Sequence, residues 1–143
     1  MNLQLDEAQE LINLLLKRYL SFRNTGTEHY YHGFLLGLLT LNAPSRLRIS
    51  DELESGEGYS DITIVNLERN SAIILELKRA PKLHDRALAT ACEDALTQIH
   101  KKDYACALKE EGISPIYGLG LAFAGKRCLI KASGDLSGET GQR

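Results

Sequence analysis

Apolar residues recur at helical spacing through residues 3–22, where Leu5, Ala8, Leu11, Ile12, Leu15 and Tyr19 share one side. That period predicts an amphipathic helix. Asn24, Gly26 and Thr27 break it, and Thr27 is placed to cap a second helix over residues 28–41. The stretch Phe34-Leu35-Leu36-Gly37-Leu38-Leu39 is apolar on most sides, which predicts burial, and Asn42-Ala43-Pro44-Ser45 ends the helix. The period then changes. Residues 46–50 read as a short strand, 60–66 as a second and 71–78 as a third, rich in Ile and Leu. Residues 54–58 form a Gly-rich turn and residues 67–70 a hairpin connection. Pro81 separates the third strand from a long helix over residues 85–111, which Gly112 stops. Residues 116–123 are a fourth strand, Gly125-Lys126 a turn, and residues 128–131 a short fifth strand.

The order is helix, helix, three strands, helix, two strands. A hairpin followed by a strand–helix–strand crossover implies an α/β fold with a mixed sheet and helices on both faces. The length of 143 residues suits one domain, expected over residues 1–132, with a frayed polar tail over 133–143. Residues 1–10 lack the basic start of a secretory signal, and no apolar run is long enough to cross a bilayer. Cys92, Cys106 and Cys128 show no metal-ligand spacing. They read as small buried thiols of a cytoplasmic protein.

The net charge of -2 is not the footprint of a chain that holds nucleic acid by overall charge. Basic residues cluster locally, at Lys78, Arg79, Lys82 and Arg86, at Lys101 and Lys102, and again at Lys126, Arg127 and Lys131. Each cluster taken alone reads as a solvated face.

Asp61 and Glu76 change the picture. Each lies inside an otherwise apolar strand, where a carboxylate is expensive unless it is paired or binds a cation. A short hairpin joins the two strands, so the acids lie near one another. Lys78 follows Glu76 by two and projects from the same sheet face. Two carboxylates with waters suit Mg2+, which polarises a phosphoryl oxygen and acidifies bound water. Glu76-Leu77-Lys78 alone would read as a surface salt bridge; Asp61 in the preceding strand favours a site.

Gly58-Tyr59-Ser60-Asp61, a hairpin and Ile74-Leu75-Glu76-Leu77-Lys78 resemble the core of the PD-(D/E)xK nuclease superfamily. This is the restriction-endonuclease-like αβββαβ fold. More narrowly, the chain resembles the nuclease-like domain often found C-terminal to AAA-ATPase-like domains. The likeness spans residues 28–131 and takes in Glu28-His29-Tyr30-Tyr31-His32, Gln98 with Tyr104, and residues 120–126. It implies Asp61 and Glu76 as metal ligands, with the Leu77 carbonyl as a third and Glu28 completing the acidic site. It implies Lys78 as catalytic lysine and Gln98 beside the site. Tyr104, Lys126 and His32 are further candidates for substrate contact. Ser60 stands where the family name has Pro. No phosphate-binding Gly-x-x-x-x-Gly-Lys-Ser/Thr loop is present, so an ATPase would be a partner domain or protein.

The expected activity is Mg2+-dependent phosphodiester hydrolysis in nucleic acid, DNA first, with Mn2+ as substitute. A homodimer fits this. The rival is a silent nuclease fold that binds nucleic acid or protein. His29 and His32, three apart, are a weak metal signal without a third ligand. His32 is expected to face the buried side and His29 the solvent. Glu54 and Glu57 read as solvated turn residues.

Overall fold

The two apolar segments joined by the hairpin form the middle of a five-stranded sheet. In the computed structural model, residues 3–19, 28–54, 59–102 and 104–138 are described. The strands β1 (Leu47–Glu54), β2 (Tyr59–Asn66), β3 (Ser71–Arg79), β4 (Ile116–Ala124) and β5 (Arg127–Asp135) lie in sequence order. The β3–β4 pair is parallel and the other three pairs are antiparallel, so the sheet is mixed as expected. The helices are α1 (Leu3–Tyr19), α2 (Glu28–Asn42), α3 (Asp85–Lys102) and α4 (Ala105–Glu110).

Alternation along the strands gives the sheet two apolar faces. On one face Ile62, Leu75, Leu77, Leu121, Phe123 and Ile130 pack with Leu16 of α1 and with Tyr31 and Leu35 of α2. Tyr31 stacks on Phe123 at 4.6 Å between ring centroids, and its hydroxyl donates to the Gly125 carbonyl at 2.7 Å. On the other face Val65, Ala72, Ile74 and Ile116 meet Ile99 of α3 and Leu108 of α4, while Ala122 and Ala124 meet Leu88, Ala91 and Cys92.

Helix α1 also covers the β5 edge through polar side chains. The Cys128 N–H donates to Asn13 Oδ1 at 2.8 Å, and the Ile130 N–H donates to Gln9 Oε1 at 2.8 Å. Asn13 Nδ2 returns a bond to the Cys128 carbonyl at 2.9 Å. An edge that would otherwise offer free N–H groups to another strand is thereby occupied.

Four expectations are corrected. The single helix expected over 85–111 is two, α3 and α4. Continued straight, the inward stripe of Leu88, Cys92, Ala95 and Ile99 would next present Lys102, Cys106 and Glu110. The break re-phases the chain so that Ala105 and Leu108 turn inward. Strand β1 runs to Glu54, not to residue 50, because pairing with β2 continues to Glu54↔Tyr59 after the apolar alternation has stopped at Ile49. Glu54 thus ends a strand, and Glu57 lies outside the described residues. Strand β5 runs from Arg127 to Asp135 and Leu136 is buried, so the fifth strand is longer than the expected 128–131. Ser133 and Asp135 hold that stretch by accepting bonds from the Gly118 and Ile116 N–H groups. Finally, Cys92 and Cys128 are buried but Cys106 is exposed. Burial pushes the Cys92 thiol up to about 11, as suits an inert packing group.

The break expected at Asn24, the Thr27 cap and the Gly-rich turn at 55–58 lie outside the described residues. Among the described residues no helix is long and apolar enough to cross a membrane.

Candidate metal centre and active site

The turn at residues 67–70 fixes the register of the central hairpin. Asn66 pairs with Ser71, and counting back along both strands brings Asp61 opposite Glu76. Pairing continues across the sheet from Glu76 to Gly120 of β4. Residues in register share a face, so Asp61, Glu76 and Gly120 form a row beneath α3, with Lys78 one step nearer the strand end on the same face.

Gly120 explains why the row is deeply buried. A Cβ there would stand 2.6 Å from the Cys92 carbonyl oxygen, closer than real Cβ contacts come. Its absence lets the backbone of α3 settle onto β4 beside Glu76. Gly118 opens the neighbouring place, where a Cβ would meet Ile99 Cδ1 at 3.2 Å. Glu76 is 0% exposed, Asp61 6%. Neither carboxylate oxygen of Glu76 has a hydrogen-bond partner. Burial first, and the Asp61 charge second, push the Glu76 carboxyl up to about 9. At neutral pH this acid therefore holds a proton in the metal-free protein.

Two hard oxygen donors facing each other, one with both oxygens orphaned in the interior, fit a divalent cation. A cation would supply the charge that lets Glu76 ionise where it is. Among the described residues no group of three His, Cys, Asp or Glu side chains gathers, so the pair stands without a third protein side chain in that set. Glu28, expected to complete the site, begins α2, on the other face of the sheet. Its side chain lies outside what is described. Leu77 points its side chain into the opposite core, so any ligation from it would come from its carbonyl.

The remaining candidates separate. Tyr104, at the turn between α3 and α4, lines a polar cavity of about 210 Å³ with Asp61, Thr63, Ser50 and Asp51. Lys78 lines a separate groove of about 470 Å³ with Ala91 and Asp94 of α3. Gln98 follows Ala91 and Asp94 at helical spacing, half-buried on the same flank of α3. Lys126 stands elsewhere, at a cleft shared with Asn13, Lys17 and Arg127. His32 is 2% exposed, as the sequence suggested, and its Nε2 lies 3.1 Å from Asp51 Oδ2. It packs from α2 on the face opposite Glu76.

Sequence reasoning gave no role to Asp51, Asp94 or Gly120. Asp51 continues the Leu47–Ile49 alternation as a polar residue, which hides it as the end of a strand. Gly120 was visible as a glycine inside a strand, a signal of close backbone approach.

A sequence profile of the PD-(D/E)XK nuclease superfamily matches residues 26–133. Comparison with curated proteins and with solved structures gave no match. The mixed sheet between helices is consistent with that family's core. The chain belongs to the PD-(D/E)XK nuclease superfamily.

Proposed function

We propose that this protein is a metal-dependent nuclease that hydrolyses phosphodiester bonds of nucleic acid, with DNA as substrate. The observation that carries the reading is the buried Asp61–Glu76 pair, in which both Glu76 oxygens lack a protein partner. Asp61 and Glu76 would hold Mg2+, or Mn2+ in its place, with the Leu77 carbonyl and Glu28 as further donors. Bound there, the cation would polarise a phosphoryl oxygen and lower the pKa of a water. Lys78, on the same face, presents an ammonium to the charge that builds on the phosphoryl oxygens as water attacks phosphorus in line. Gln98 flanks that groove and orients water or phosphate. Tyr104 borders the cavity beside Asp61 and contacts the substrate there.

The test is cleavage of supercoiled plasmid and of branched DNA with Mg2+ or Mn2+. Wild type should nick, and Lys78→Ala should lose at least two orders of magnitude in rate, the typical worth of one preorganised charge. Equal nicking by both proteins would sink the reading.

A second reading has one observation in its favour, the lack of a third ligating side chain among the described residues. A nuclease fold that binds without cutting would show DNA affinity, no metal-induced stabilisation and no cleavage.

A further inference from the structure

Three depressions on the surface share residues and so form one track. The groove beside Lys78, about 470 Å³, includes Pro81 and Lys82. A shallower one of about 250 Å³ shares both residues and adds Leu83 and Gly125. The third, about 560 Å³, shares Leu83 and Gly125 and ends at Lys17 of α1. The track thus starts at the candidate site and passes the β3–α3 loop. It then crosses the β4–β5 turn at the carboxyl end of β4.

Its lining is strongly basic although the chain as a whole is net acidic at -2. Lys78, Lys82 and Arg86 line the first groove and Arg79 the second. Lys17, Lys126 and Arg127 line the third. Among the described residues Asp94 is the acidic one in the lining, and Arg127 is paired with Asp85 at 2.8 Å. Lys82, Arg86 and Lys17 make no ion pair with another described residue. These cations come from three parts of the chain, so no single charge run accounts for the track. Among the described residues no Phe, Tyr or Trp lines it, so the described lining offers charge and not base stacking.

We propose that this track carries the sugar–phosphate backbone of one nucleic-acid strand from the candidate site, past Lys82 and Arg86, to Lys17. The identity of the partner rests on the nuclease reading. Its geometry is specific to this chain. Spaced cations without aromatic platforms bind phosphates, not bases. Binding is therefore indifferent to sequence and steeply salt-dependent.

The experiment measures duplex and single-stranded DNA binding in EDTA across a salt series, so that no cleavage intervenes. Wild type is compared with Lys82→Gln/Arg86→Gln, with the same pair plus Lys17→Gln, and with Arg46→Gln/Arg69→Gln at the opposite end of the sheet. Each lost phosphate contact should lower the slope of log K against log[salt] by about 0.9 for duplex and about 0.7 for single strands. The double variant should thus lose about 1.8 in duplex slope and the triple about 2.7, with the distal pair unchanged. All the substituted side chains are exposed, and a thermal melt checks that each variant folds. Slopes that stay at the wild-type value, or that fall equally for the distal pair, overturn the track. So does a wild type that binds neither DNA at low salt. Plasmid cleavage with Mn2+ is scored separately. Cleavage with unchanged slopes removes the track and leaves the nuclease. Reduced slopes without cleavage keep the track and remove the nuclease. The strand form with the larger slope change identifies what the track holds.

Discussion

Glu76→Gln tests the acidic centre without assuming any activity. In the metal-free protein the folded state keeps a proton on Glu76 up to about pH 9, while the unfolded chain releases it near the ordinary value of 4.5. The stabilising effect of this proton is complete below about pH 4.5. It is lost as pH rises toward about 9, because in that window the folded state binds one proton more than the unfolded state. The linkage slope is about 1.4 kcal/mol per pH unit. Between about pH 5.5 and 7.5 the wild type in EDTA should therefore lose about 2–3 kcal/mol relative to the variant. That is a large part of a domain stability of roughly 5–15 kcal/mol. Glutamine does not titrate, and any unmet hydrogen bond of its amide adds a constant offset of about 1–3 kcal/mol. The readout is thus the change with pH of the wild-type-minus-variant difference, from urea denaturation at each pH. Adding Mg2+ should reverse the trend for wild type, since a cation that displaces the proton binds more tightly as pH rises. A difference that stays constant within about 0.5 kcal/mol across the window would refute the buried, protonated Glu76 and the metal argument built on it.

Saturating Mg2+ or Mn2+ should stabilise the wild type by mass action, by about 2.7 kcal/mol at a hundredfold excess over Kd, and Asp61→Asn should abolish the resulting rise in melting temperature. Gly120→Ala should destabilise by about 1–3 kcal/mol, because its Cβ would meet the Cys92 carbonyl at 2.6 Å. It should weaken metal binding in parallel, as α3 lifts away from Glu76; unchanged urea midpoints would contradict the close approach. Leu108→Ala should cost about 2–5 kcal/mol while Cys106→Ala costs almost nothing. The opposite ranking would mean that one straight helix runs through residue 104. Asp51→Ala should cost about 1–3 kcal/mol by leaving the buried His32 Nε2 without its partner, read as a fall in urea midpoint.

What was legible in the chain, and what was not, divides along physical lines. The central hairpin could be read because two local facts set it, a period of two and a four-residue turn. Together they bring Asp61 opposite Glu76. The features that escaped are those whose partners lie far along the chain. Strand β1 continues past Ile49 because β2 pairs with it and because Asp51 finds His32 on α2, and no local pattern announces either. Gln9 and Asn13 look like the solvent side of a helix until the β5 edge needs their amides. The split between α3 and α4 was present as a phase conflict, since the charged Lys102 and Glu110 fall where the stripe demands apolar residues. Helix propensity alone runs straight through it. The site follows the same division. That two acids and a lysine share a face was readable from β2 and β3. That Glu76 is sealed from water was not, because the seal is made by a helix settling on Gly120 across the parallel crossover. The depth of that seal decides whether the carboxyl is an ordinary surface acid or a proton-holding group waiting for a cation. The proposed chemistry therefore depends on a glycine in β4 and on its register with Glu76 as much as on the acids themselves.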